Sequence, residues 1–175
     1  DLGVHMIDLS RYLMGKPKVV SVYGATFDKL GARTNVKAYD RYFASDRTDE
    51  CTVEDFATAL IRFDNGAVLH AEVSFSAHIE KDSLSLDLFG TKGGMKLEPE
   101  FEIYSEKYDY MANIKPVYTV PNNDFTAFFN KEMAHFVECI EMGKPCRNPA
   151  EDGVELMKIL DSIYKSSETK KEVVL

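Results

Sequence analysis

The chain has 175 residues, 45% hydrophobic and 29% charged, the balance of one globular domain with a core of its own. Its formal charge of −8, from 21 basic and 29 acidic residues, argues against a nucleic-acid backbone or an anionic membrane surface as the main partner. No apolar run approaches the roughly 20 residues of a membrane span. Cys51, Cys139 and Cys146 are odd in number and include no C-x-x-C, so they read as reduced thiols of a cytoplasmic protein.

The chain begins at Asp1 without a methionine, and its first residues read as the middle of something longer, with any targeting signal upstream. In Asp1–Gly15, DLGVHMIDLSRYLMG, a helical wheel of about 100° per residue gathers Asp1, His5, Asp8 and Tyr12 into a stripe roughly 60° wide. Leu2, Met6, Leu9 and Leu13 form an adjacent apolar stripe, and Val4, Ile7 and Met14 add to it. A helix apolar on most sides is predicted to be largely buried, so its polar stripe must face partners or a cavity. Gly15-Lys16-Pro17 stops it.

Lys18–Phe27, rich in β-branched residues, predicts a strand. Asp28–Thr52 is polar and weakly periodic, a long connection. Phe56–Phe63 and Ala67–Ala77 flank Asp64-Asn65-Gly66, a hairpin signal. Within the second strand Leu69, Ala71, Val73 and Phe75 point one way, and Val68, His70, Glu72, Ser74 and Ser76 the other, giving one packed and one more polar face. Leu84, Leu86 and Leu88 alternate in another strand, which Gly90–Gly94 turns into Met95–Leu97; Phe101–Tyr104 and Val117–Val120 are weaker strands. The period then becomes helical, with Phe125, Phe129, Met133, Phe136 and Ile140 on one face before Gly143-Lys144-Pro145. Asn148-Pro149-Ala150-Glu151 opens a last helix with Val154, Met157, Leu160 and Tyr164 as its apolar face, and Glu172–Leu175 closes as a short strand. The order predicts α+β: an open, predominantly antiparallel sheet with helices packed on one face.

Asp1, His5 and Asp8 lead the candidate chemistry, because a histidine one turn from carboxylates holds a defined tautomer and moves protons near neutral pH. A structural alternative is a capping Asp1, a satisfied core His5 and an ion-paired Asp8. A metal is the other alternative, but one helix supplies too few ligands, His70, His78 and His135 are scattered and no cysteine cluster adds to them, so no metal is expected. His78, closing Ser74-Phe-Ser-Ala-His78, could reach a pocket at the sheet edge. Glu50, Glu54 and Asp55 read as loop solvation and strand entry, and Lys16 and Lys144 as parts of helix stops. Gly90–Gly94 joins strand to strand and lacks the phosphate-loop spacing, and no G-x-G-x-x-G or nucleophile elbow occurs.

Asp1-x-Gly3-x-His5-x-x-Asp8 before a helix ending at Gly15 resembles the start of the C-terminal domain of the glucose–fructose oxidoreductase, inositol dehydrogenase and MocA family. Further stretches fit in the same order: Val53-Glu54-Asp55 before the Asn65-Gly66 hairpin, Leu88-Phe-Gly90-Thr-Lys-Gly93, Glu132–Pro145, and the closing helix with Val173-Val174-Leu175. The resemblance spans the whole chain. It implies residues 1–175 as one C-terminal substrate-binding and oligomerisation domain, with the Rossmann domain that binds NAD or NADP lying outside this chain. It implies His5 as proton acceptor from the alcohol, Asp1 orienting His5 or holding a substrate hydroxyl, and Asp8, Tyr12 and His78 as substrate-binding or supporting residues. The family's E-K-P lysine belongs to the other domain; the two GKP sequences here are helix stops.

The resemblance implies an NAD(P)-dependent oxidoreductase of a sugar, polyol or inositol-type alcohol, its partners being that substrate, its own Rossmann domain and further copies associating through the sheet. The isolated chain is expected to bind no nicotinamide and to be inactive. A non-catalytic dimerisation and ligand-binding module is the alternative, and a metal-dependent hydrolase built on the Asp1–His5–Asp8 stripe comes last.

Overall fold

The structure, a computed structural model, describes residues 1–32, 51–98, 100–117 and 125–175. Most of the long connection, 33–50, and the predicted strand at 118–120 lie outside them. The described elements are α1 (Leu2–Leu13), β1 (Val19–Phe27), β2 (Phe56–Phe63), β3 (Val68–Ser74), β4 (Asp87–Gly90), β5 (Gly93–Lys96), β6 (Glu102–Lys107), β7 (Tyr110–Ile114), α2 (Phe125–Met142), α3 (Ala150–Thr169) and β8 (Val173–Val174). The α+β class holds, with strands in two four-stranded sheets, β3-β2-β1-β8 and β4-β5-β6-β7, every pair antiparallel. The chain divides into two compact units, Asp1–Glu80 with Ala150–Leu175, and Lys81–Pro149. Among the described residues no helix is long and apolar enough to cross a membrane.

In the first unit, register explains the core. Val22, Ile61 and Leu69 stand side by side on one face of β1–β3, and Gly24, Ala59 and Ala71 form the next row. Val22 and Ile61 are fully buried, with Ile7 of α1 and Leu156, Ile159 and Ile163 of α3 in the same cluster. Small residues in the second row let α3 approach closely: a Cβ on Gly24 would lie 3.0 Å from Ile163 Cγ2 and 3.3 Å from its Cα. The Gly24 N–H, which that approach would otherwise strand, donates to Ser166 Oγ at 2.9 Å. The β2–β3 hairpin turns through Asp64-Asn65-Gly66 as predicted, with Gly66 at φ 85° and Phe63 N–H donating to Ala67 O at 3.0 Å.

Three expectations change here. The buried face of α3 is Leu156, Ile159, Ser162, Ile163 and Ser166, whereas Val154, Met157 and Tyr164 are exposed. The serines made the true face look polar, yet Ser166 is satisfied because its hydroxyl also donates to Lys171 O at 2.7 Å. Strand β3 stops at Ser74, short of Ala77. Asp55 is buried and holds the chain after β1, accepting from Leu30 N–H, and from Gly31 N–H at 2.8 Å, so it is an anchor and not a solvated loop charge.

In the second unit, Gly90–Gly94 is the predicted strand-to-strand turn, with Gly90 opposite Gly93. β4 begins only at Asp87, because Leu84 is exposed while Leu86 is buried and accepts from Leu97 N–H. β7 pairs with β6 through a two-residue turn, Tyr108-Asp109, both at positive φ. That turn type favours Asn and Gly, so Tyr-Asp gives little sequence signal. Helix α2 has the predicted stripe, but all of it is exposed, from Phe125 at 68% to Ile140 at 68%.

Candidate active-site helix

Helix α1 is set against the first unit by residues on one side. At its start a Cβ on Gly3 would lie 3.2 Å from Val73 Cγ2, so a larger side chain would push the helix off β3. Ile7 sits in the core at 2% exposure. Ser10, also buried, donates to Met6 O at 2.7 Å and so satisfies its own hydroxyl. Arg11 is the side chain that the sequence did not single out. It is 2% exposed, donates from Nε to Pro17 O at 3.2 Å and from Nη1 to Asp152 O at 3.4 Å, and its Nη2 lies 4.0 Å from Asp152 Oδ1. Lys16 Nζ forms an ion pair with Asp152 Oδ2. The helix ends as predicted: Gly15 and Lys16 both take positive φ, Gly15 N–H donates to Tyr12 O at 3.1 Å, and Lys16 N–H donates to Arg11 O at 2.7 Å.

This seating corrects the expectation that α1 is largely buried: only Ile7, Ser10 and Arg11 are buried, and Leu2 and Leu13 are exposed. A polar pair, serine and arginine, occupies the core side where hydropathy alone placed leucines. Positions 3, 7, 10, 11 and 14 centre roughly 145° around the wheel from the stripe of Asp1, His5, Asp8 and Tyr12. The stripe therefore points away from the core. Asp1, His5 and Tyr12 are exposed and Asp8 is half-buried. Asp1 occupies the N-cap position without a side-chain capping bond. Tyr12 carries the Lys16 ammonium 5.8 Å from its ring centroid, a cation–π contact. His78 lies in the coil beyond β3, exposed, and not on the polar face of a strand.

A cavity of about 310 Å³ opens between the N-terminal half of α1, the sheet and α3. Its lining is mostly apolar, including Leu2, Val4, Phe56, Val73 and Phe75, with Asp1 among its polar residues; His5 does not line it. On its α3 side Tyr164 has its phenol pushed up by burial and by a hydrogen bond with Glu54. The glycine turn after β4 offers no nucleotide cradle: a Cβ on Gly93 would lie 2.5 Å from Tyr104 O, so its glycine serves hairpin packing. Chemically, the α1 face offers an imidazole to take a proton and carboxylates one turn on either side to orient it or to hold hydroxyls. Elsewhere, His135, Cys139 and Cys146 come together in the second unit. Sequence reading set His135 with the scattered His70 and His78 and found no cysteine cluster, although His135-x-x-x-Cys139 already carried the one-turn spacing.

Comparison with known proteins extends this. Residues 1–175 match the model for the oxidoreductase family, C-terminal alpha/beta domain. The chain is 28% identical over 179 residues to D-glucoside 3-dehydrogenase of Escherichia coli K12, covering 100% of this chain and 48% of that protein. It is 24% identical over 181 residues to D-xylose 1-dehydrogenase (NADP(+)) 2 of Haloferax volcanii, covering 100% of this chain and 47% of that protein. Among solved structures, levoglucosan dehydrogenase in complex with NADH superposes with a TM-score of 0.73 at 21% identity, over 99% of this chain and 49% of that one. The chain thus spans about half the length of the curated relatives it matches. Matched from end to end by that model, the chain belongs to the glucose–fructose oxidoreductase, inositol dehydrogenase and MocA family, as its C-terminal α/β domain.

Proposed function

We propose that this chain is the substrate-side half of an NAD(P)-dependent oxidoreductase that oxidises a secondary alcohol of a sugar, polyol or inositol-type substrate, with His5 as the proton acceptor. The observation that carries the reading is the outward stripe of α1: His5 is exposed between Asp1 and Asp8 on a helix whose opposite side is anchored by Gly3, Ile7 and Arg11. Relatives named as glucoside, xylose and levoglucosan dehydrogenases support the substrate class. The bound nicotinamide would accept hydride from the carbinol carbon. His5 takes the hydroxyl proton as the carbonyl forms, Asp1 and Asp8 hold its ring or a neighbouring hydroxyl, and Tyr12 flanks the substrate. Residues for the cofactor lie outside this chain, which carries no dinucleotide fingerprint.

In the intact protein, His5→Ala should lower kcat by about 10²- to 10⁴-fold, the usual worth of a positioned general base. Cofactor affinity, read by quenching of protein fluorescence or by NADH fluorescence, should be unchanged. Undiminished kcat on glucosides, aldoses and inositols alike refutes the assignment. A second reading is favoured by one observation: Tyr23, Leu60 and His70 form an exposed row across β1, β2 and β3 on the face opposite the helices. On that reading the chain is a dimerisation module. Sedimentation showing a stable dimer of the isolated chain, together with full activity after replacement of Asp1, His5 and Asp8 in the intact protein, would select it over the catalytic one.

A further inference from the structure

The oxidoreductase reading leaves unused the cluster at the C-terminal end of α2. His135 and Cys139 stand one turn apart on that helix and Cys146 lies just beyond it, and one ligand atom from each falls within 4.8 Å of the others. Cys139 Sγ is 3.5 Å from His135 Nε2. A tetrahedral zinc ion, with Zn–S about 2.3 Å and Zn–N about 2.0–2.1 Å, holds its donors about 3.5–3.8 Å apart. The helical pair therefore already has the span of one edge of such a tetrahedron. Cys146 is exposed and on a non-helical segment, so closing the remaining gap of about 1 Å to reach that span needs only a loop adjustment. Arg147 N–H donates to Nε2 at 3.1 Å, so a metal on that nitrogen takes the place of this exposed backbone amide at its single lone pair. All three cysteines of the chain are free.

We infer that His135, Cys139 and Cys146 form a binding site for a thiophilic cation, zinc before others, with one nitrogen and two sulfur donors and a fourth position open to water. Two thiolates and an imidazole select zinc, cadmium or copper(I) over magnesium and calcium, which prefer oxygen. The two thiolates balance the zinc charge, and the ion ties the end of α2 to the segment leading into α3. It stands in the second compact unit, and it asks nothing of His5.

The test uses the 175-residue chain in phosphine reductant, freed of metal by chelator and desalting. Zinc is titrated against a chromophoric chelator, and cobalt(II) is used as the spectroscopic probe. One equivalent should bind, and cobalt should give the strong visible bands of a tetrahedral ion with thiolate charge transfer in the near-ultraviolet. Cys146→Ser, at an exposed position, and Cys139→Ser should each weaken zinc binding at least tenfold and abolish the charge-transfer band of the missing thiolate, with far-ultraviolet circular dichroism unchanged. Zinc should protect two thiols, leaving Cys51 reactive to an aromatic disulfide reagent. Binding that is the same in both serine variants, an octahedral cobalt spectrum, or three equally reactive thiols with zinc present would each overturn the site.

Discussion

Replacing Asp152 by alanine tests how α1 is held. The carboxylate faces a guanidinium that is almost wholly withdrawn from water: the side chains of Arg11 and Asp152 are 3% and 16% exposed. Removing one partner of a fully buried pair costs about 3–5 kcal/mol, because the survivor is left charged and desolvated. Two features reduce that here. Arg11 keeps its bonds to the carbonyls of Pro17 and residue 152, which the substitution does not touch, and the ionic contact itself is 4.0 Å long. Two features add to it: Lys16 loses its ion pair with the same carboxylate, and Asp152 lies in the first turn of α3, where a negative charge is worth about 0.3–1 kcal/mol. The sum is a loss of about 2–4 kcal/mol. For a chain of this length each kcal/mol moves Tm by about 2–4 °C, so a fall of about 5–15 °C is expected by circular dichroism. Urea titration should show a matching fall in midpoint. The cycle with Arg11→Met separates pairing from packing: with both charges gone, the double variant should recover at least about 1 kcal/mol relative to the sum of the single losses. A loss below about 1 kcal/mol for Asp152→Ala, or singles that add within about 0.5 kcal/mol, would refute the claim that this pair seats the helix.

Further outcomes follow from neighbouring contacts. Gly24→Ala should destabilise by about 1–3 kcal/mol in urea titration, since its Cβ would press on Ile163 where both backbones are fixed; a neutral result would mean that α3 can slide. Ser166→Ala should cost about 1–3 kcal/mol by stranding the Gly24 N–H, and hydrogen exchange at Gly24 should accelerate in step. Burial raises the Glu155 carboxyl, but hydrogen bonds from Lys158 and Val19 N–H outweigh it, so the group sits below the usual carboxylate value. Its stabilising effect is thus complete above about pH 4.3, the ordinary glutamate value, and disappears as pH falls through the lower folded value. Glu155→Gln should therefore be less stable than the parent by about 1–2 kcal/mol at pH 7 and converge with it in acid; a constant gap down to pH 2 would refute the linkage.

The elements that sequence made legible were those whose local chemistry and tertiary role agree. Asn65-Gly66 wants positive φ and sits in a turn that needs it; Gly15 and Gly143 take the left-handed position after their helices, which glycine adopts without the cost a Cβ adds. What stayed hidden was rotation. On α3 the apolar face was read at Val154, Met157, Leu160 and Tyr164, which passes over Ser162 and Ser166; both are buried, and Ser166 meets the Gly24 N–H of β1. On α1, four apolar side chains outvoted Ser10 and Arg11 in the wheel, although the pair is buried and satisfied. Hydropathy has no term for a buried arginine with acceptors waiting, and those acceptors, Pro17 O and Asp152, come from separate parts of the chain. The Tyr108-Asp109 turn was missed for a related reason: the β6–β7 pairing holds two residues in a conformation that neither prefers by itself.

The rotation of α1 matters more than its length, because a turn of about 100°, one residue of slip, would swing the His5 stripe toward the core. Apolar contacts alone resist such a slip weakly, since Leu2, Met6, Leu9 and Leu13 form a second stripe that could be buried instead. The choice between the two settings is made at three points along the helix. Gly3 admits β3 only on its own side, Ile7 enters the core, and Arg11 reaches acceptors that exist in one direction alone. Burying the leucine stripe would turn Arg11 away from Pro17 O and from Asp152, a loss that the added leucine burial, about 1.5–3 kcal/mol per side chain at most, would have to exceed. The polar residues on the hidden side of α1 thus keep its other polar residues exposed, and the direction in which His5 points depends on Arg11 more than on any residue beside it.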